Sequence, residues 1–83
     1  MKVTFSDQGW EDYESWLDQR KILLRINRLI REAYRTPSEG TGKPERLRAD
    51  LSGYWSRRID HEHRLVYAVH DDTVTIIQCR YHY

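Results

Sequence analysis

Three side-chain types that together can cut RNA without a metal occur in the second half of this sequence. RNA brings its own nucleophile, the 2′-hydroxyl. The protein must supply a base for that proton, an acid for the departing 5′ oxygen, and cations for the phosphorane oxygens. Carboxylate, imidazole and guanidinium suit those tasks near neutral pH. The candidates are Glu45 in GKPERL, His82 in the terminal CRYHY, and Arg58 or Arg64. Each also has a plainer reading. A loop glutamate after a proline is usually a solvated carboxylate, and a penultimate histidine is usually exposed and inert. Arg57, Arg58 and Arg64 equally suit surface ion pairs with Asp60 and Glu62. Residue types and spacing alone reach a small α+β domain with RNA binding as one use.

Other chemistries fit less well. The histidines are His61, His63, His70 and His82, with no helical H-x-x-x-H pair and no cysteine pair. Zinc sites need three or four convergent ligands, so neither metal nor cofactor is expected. Cys79 and His82 make a weak nucleophile pair, because nothing nearby in sequence depresses the thiol pKa. The loop TPSEGTGKPER (36–46) has glycines two apart and no GK[ST], which rules out a Walker-type phosphate cradle. One cysteine excludes an internal disulfide and fits a reducing compartment. The chain has no 18-residue apolar run, and MKVTFSDQGW has no signal-like apolar core. A cytoplasmic protein that does not cross a membrane is expected.

The net charge of +1 conceals an asymmetry. Residues 1–18 hold Lys2 against Asp7, Glu11, Asp12, Glu14 and Asp18, whereas 20–48 hold nine bases against Glu32, Glu39 and Glu45. Such a basic stretch is either a solvated helix face or a polyanion contact.

The elements that must position these residues follow from periodicity. KVTF (2–5) reads as an opening strand. Ser6 or Asp7 caps a first helix, weakened by Gly9, with Trp10, Tyr13, Trp16 and Leu17 on one face. Asp18 can cap a second helix, whose apolar stripe is Ile22, Leu23, Ile26, Leu29, Ile30 and Ala33. Lys21, Arg25, Arg28 and Arg35 lie on its other side, and Thr36-Pro37 ends it. LRADL (47–51), YWSRRI (54–59), HRLVYAVH (63–70) and TVTIIQCRY (73–81) read as strands, the last two joined by a tight turn at Asp71-Asp72. The expected core is Trp16, Leu17, Ile22, Ile26, Leu29, Ile30, Leu65, Tyr67, Val69, Val74 and Ile76. The fold class is α+β: two N-terminal helices on one face of a twisted, mainly antiparallel sheet of four or five strands, as a single domain 1–83. If the last strand runs to Tyr81, then Tyr81 and Tyr83 share a face and His82 projects oppositely.

GKPERL (42–47), LSGYWSRRI (51–59), EHRLVYAV (62–69) and CRYHY (79–83) resemble the YoeB-type toxins of the RelE superfamily, and the likeness runs nearly end to end, from KVTFS and the Trp10–Tyr13 segment. The resemblance implies a toxin–antitoxin pair: a small ribonuclease that cleaves mRNA in the A site of the 70S ribosome, and a YefM-like antitoxin that wraps it. Toxins of this type can form homodimers. The resemblance further implies Glu45 as general base, Arg64 as stabiliser of the phosphorane, His82 as general acid and Tyr83 as a residue shaping the site. Arg58 matches a supporting cation, Arg48 a basic residue after the glutamate, and Lys43 joins them as RNA-binding support. An ordered tail with Tyr81 packed is expected. The alternatives are a non-catalytic RNA- or protein-binding module of the same fold and a ribosome-independent ribonuclease.

Overall fold

The computed structural model describes residues 1–81. In chain order it contains β1 (Lys2–Phe5), α1 (Asp7–Glu14), α2 (Arg20–Arg35), β2 (Glu45–Arg46), a 3-10 turn (Ala49–Leu51), β3 (Trp55–Arg58), β4 (Arg64–His70) and β5 (Thr73–Gln78). The strands form one sheet in the order β1-β5-β4-β3-β2. β1 runs parallel to β5, and every other neighbouring pair is antiparallel. The fold is α+β, as expected from the sequence.

Each helix packs for a reason visible in its residues. The Ser6 hydroxyl accepts the Gly9 amide at 2.9 Å and donates to the Ile77 carbonyl at 2.7 Å. One side chain thus caps α1 and ties it to β5. Gly9 costs helix propensity but permits close contact, since a Cβ there would sit 2.3 Å from the Ile76 carbonyl oxygen. α2 buries Ile26, Leu29, Ile30 and Ala33. These pack with Trp16, Ile59, Leu65, Tyr67, Val74, Ile76 and Cys79 in one apolar cluster.

Leu17 is corrected: it is 60% exposed. Helix α1 ends at Glu14 and a turn follows, so helical periodicity cannot be carried on to residue 17. Trp16 enters the core from that turn instead. Gln19, not Asp18, occupies the N-cap of α2, and no side-chain capping bond forms there. LRADL is not a strand. Its Leu47 extends the β2–β3 pairing through an amide bond to the Tyr54 carbonyl. Ala49 then takes φ 56°, which breaks the extended backbone. The turn between β4 and β5 forms as expected, with Asp71 at φ 56°.

The last strand also differs from expectation. It stops at Gln78, and a bulge interrupts its pairing: Val66 faces Gln78 while Tyr67 faces Ile76. The extra residue, Ile77, reverses the inward–outward alternation beyond it. Cys79 therefore turns into the core and is fully buried. The condition for placing Tyr81 and Tyr83 on one face, a strand running to Tyr81, is not met, because β5 ends at Gln78. His82 and Tyr83 lie outside the described residues.

Candidate active site

Strand register assembles the candidate residues. Glu45 faces Ser56 across β2–β3, Ser56 faces Val66 across β3–β4, and Arg58 faces Arg64. Directly opposed residues share a face, as do residues two apart on one strand. Glu45, Ser56, Arg58 and Arg64 consequently occupy one face. Leu65 and Tyr67, in the intervening positions, are in the helix-covered core. The Arg64 guanidinium donates to the Ser56 hydroxyl at 3.3 Å. Glu45 and Ser56 stand opposite each other with Cβ atoms roughly 5 Å apart by strand geometry. Ser56, itself fully buried, is bonded to Arg64 and lies opposite Glu45 in the register.

Glu45 and Arg58 are exposed, and Arg64 is half-buried. Among the described residues, no carboxylate pairs with Arg58 or Arg64, so the expected surface pairs with Asp60 and Glu62 do not form. Arg48 is exposed and lines an open cleft together with Glu45, Leu47 and Ser52. Lys43 is exposed two residues before Glu45, at φ 51°, and does not line that cleft. His82 and Tyr83 are the two site candidates outside the described residues. Among the described residues, no cluster of three or more His, Cys, Asp or Glu could hold a metal ion.

Arg57 is a second correction. It is fully buried, not a surface partner. Its guanidinium donates to the Tyr67 hydroxyl at 2.9 Å and to the carbonyls of Thr41 at 3.1 Å and Glu39 at 2.7 Å. The Thr36 carbonyl also accepts from it, and Glu32 stands 3.7 Å away. A single guanidinium therefore shapes the loop that leads to Lys43 and Glu45. Glu32 receives the Thr41 amide, and that bond chiefly holds its carboxyl below the ordinary range. The Thr41 side chain and Arg28 assist against the opposing effect of burial. Burial pushes the Tyr67 hydroxyl up, with Arg57 opposing. Arg25 too is used inside the fold. It reaches the carbonyls of Ile59 and Arg58, so it does not belong to the solvent-facing side of α2. Trp55 is half-buried against the core, with Arg46 5.7 Å above its ring.

The chain beyond β5 is held by side chains from several elements. Asp12, itself buried, accepts the Cys79 amide at 3.0 Å. Trp16 Nε1 donates to the Cys79 carbonyl at 2.8 Å. The Tyr81 amide donates to His63 Nδ1 at 2.7 Å, and the Arg64 amide donates to the Tyr81 carbonyl at 3.0 Å. The Arg80 guanidinium lies 4.1 Å over Trp16 and donates to the Ser15 hydroxyl. Tyr81 adopts φ 60°, which costs roughly 1–3 kcal/mol for a bulky residue and persists only where neighbours enforce it. The expectation of a packed Tyr81 side chain is corrected: its ring is 56% exposed, while its main chain is fixed. Cys79 is no nucleophile. Burial, with the Asp12 charge adding to it, pushes its thiol up to about 12.

His63, Arg57 and Asp12 were not among the sequence candidates. His63 carried a signal, since it shares strand parity with Leu65 and Tyr67 and so points to the core face. Arg57 shares parity with Trp55 and Ile59, but a strand arginine does not announce loop carbonyls as its partners.

Comparison with known proteins places these features in a family. The model of the "YoeB-like toxin of bacterial type II toxin-antitoxin system" matches residues 5–83. Toxin YoeB of Streptomyces coelicolor is 58% identical, with both chains covered completely. Toxin YoeB of Escherichia coli K12 is 55% identical, also over the whole of both chains. Among solved structures, a YoeB/ParE toxin from Agrobacterium tumefaciens superposes with a TM-score of 0.94 at 49% identity, covering all of both chains. A YoeB–YefM heterotetramer from Staphylococcus aureus contains a chain that matches with a TM-score of 0.92 at 47% identity, covering 100% of this chain and 98% of that one. Agreement in sequence and backbone over the full length means that this chain belongs to the YoeB-like toxins of bacterial type II toxin–antitoxin systems.

Proposed function

We propose that this toxin is a metal-independent endoribonuclease that cleaves mRNA in the ribosomal A site and is neutralised by a YefM-like antitoxin. The observation that carries this reading is the shared sheet face of Glu45, Ser56, Arg58 and Arg64. The Arg64 amide also binds the Tyr81 carbonyl, one residue before His82. Glu45 takes the 2′-hydroxyl proton, and the 2′ oxygen attacks the adjacent phosphorus in line. Arg64, assisted by Arg58, stabilises charge on the phosphorane oxygens. His82 delivers a proton to the departing 5′ oxygen, and Tyr83 shapes the site. The products are a 2′,3′-cyclic phosphate and a 5′-hydroxyl.

Partial burial strengthens the action of Arg64, because a charge on a poorly hydrated face acts through a lower effective dielectric. Glu45, exposed, keeps access to bulk water for the proton it removes. Lys43 and Arg48 give the rim a positive character that suits a phosphate backbone. A partner of the YefM kind is supported by the Staphylococcus aureus heterotetramer, and pairing between toxins by the YoeB dimer from the same species. Action on ribosomes places the toxin in the cytoplasm. No helix among the described residues is long and apolar enough to cross a membrane.

The test compares cleavage of one mRNA in three states: free, bound to ribosomes with an open A site, and bound with that site filled by tRNA. Cleavage confined to the open-site complex, with 2′,3′-cyclic phosphate ends, is expected. Equal cleavage of free RNA would remove the ribosome from the account. Binding without cleavage in every state would leave only a binding module.

A further inference from the structure

His63 is the side chain that holds the Tyr81 amide, one residue before His82. Its ring is 7% exposed, packed edge-on to Trp16 at 4.8 Å and tilted against Tyr81 at 5.0 Å. The 2.7 Å bond from the Tyr81 amide assigns a lone pair to Nδ1. The proton of the neutral ring is then on Nε2, 3.6 Å from the Glu62 carboxylate. The neighbouring Arg64 amide holds the carbonyl of the same Tyr81. The adjacent residues His63 and Arg64 thus hold both main-chain polar groups of Tyr81.

We propose that His63 is a positioning residue of the cleavage reaction: through the Tyr81 amide, its neutral ring sets the direction in which the chain leaves residue 81 toward His82 and Tyr83. The proposal rests on the ribonuclease reading and deepens it. His63 touches no substrate; it acts through Tyr81.

Two substitutions separate the acceptor from the bulk of the ring. H63F keeps an aromatic ring without an acceptor. H63N offers Oδ1 near the position of Nδ1 and does not titrate. On ribosome-bound mRNA, H63F is expected to lose about 10–100-fold in kcat with KM little changed, as a displaced catalytic group would. H63N recovers most of that rate. Wild-type turnover by H63F, or H63N no faster than H63F, overturns the proposal.

A second readout uses the wild-type toxin and no RNA. Doubly ¹⁵N-labelled protein should show, at neutral pH, a scalar coupling across the hydrogen bond, between the Tyr81 amide nitrogen and His63 Nδ1. Its absence at neutral pH from an active toxin sinks the positioning role alone. A wild-type toxin that cleaves no RNA sinks the nuclease reading, and the positioning role with it.

Discussion

Arg57 and Arg58 are chain neighbours with opposite fates. Arg57 is fully buried and bonded to three loop carbonyls and a tyrosine hydroxyl, whereas Arg58 is exposed opposite Arg64 on the open face. One step along a strand turns the same side chain from scaffold into site. The difference teaches that the sheet has two kinds of polar chemistry. On the helix side, every polar group is satisfied inside the fold, and its loss costs stability. On the open side lie the groups proposed to meet RNA, and their loss is expected to cost rate rather than stability.

The sharpest way to break this contrast is to exchange the costs. Arg57→Met strands the carbonyls of Thr36, Glu39 and Thr41 and leaves Glu32 without its buried partner. A loss of about 3–5 kcal/mol is expected, enough to unfold much of a small domain. Chemical denaturation measures it, and a loss below about 1 kcal/mol would contradict the scaffold role. Arg64→Ala is expected to do the reverse. Its kcat on ribosome-bound mRNA falls about 10²–10³-fold, with little change in Tm. Glu45→Ala, on the exposed two-residue β2, behaves similarly, with a fall of about 10²–10⁴-fold. If either substitution lowers Tm as much as Arg57→Met, the two faces are not distinct.

Gly9→Ala is a smaller structural change. Its Cβ meets the rigid Ile76 carbonyl, so α1 must move away from β5. A destabilisation of about 1–3 kcal/mol is expected from such overpacking, read as a lower denaturation midpoint. The smallest effect is on acid stability. Glu32 and Asp60 have folded-state pKa values below their ordinary ones. For Glu32 the main cause is the Thr41 amide; for Asp60 the amides of His63 and Glu62 outweigh burial. Groups depressed on folding contribute stability above their unfolded pKa, and that contribution fades as pH falls through the lowered value. Glu32→Gln should therefore lower stability at neutral pH and reduce the difference between neutral and acid unfolding midpoints. An unchanged pH dependence would contradict the lowered carboxyl of Glu32.

Much of this was legible in the residues themselves. The stripe from Ile22 to Ala33 specified α2, and the alternation of Leu65, Tyr67 and Val69 specified β4 and its buried side. Residue types offered RNA chemistry only as one use of Glu45, His82 and Arg58 or Arg64; their proposed roles come from the likeness to YoeB-type toxins. The extent of the last strand was misjudged: it ends at Gln78 after a bulge at Ile77, and a bulge has no clear mark in TVTIIQC. Arg57 was misjudged because its partners are main-chain carbonyls of the 36–41 loop, which any sequence possesses. Leu17 was misjudged because a helical period was extended past the end of its helix at Glu14.

The central claim is that the RNA's own 2′-oxygen is the nucleophile, served by the open-face residues. The most direct measurement is the cleavage rate of ribosome-bound mRNA carrying a single 2′-deoxynucleotide immediately 5′ of the scissile phosphate. The account predicts no cleavage at that bond, with toxin binding retained. Cleavage at the rate of the all-ribose message would contradict it.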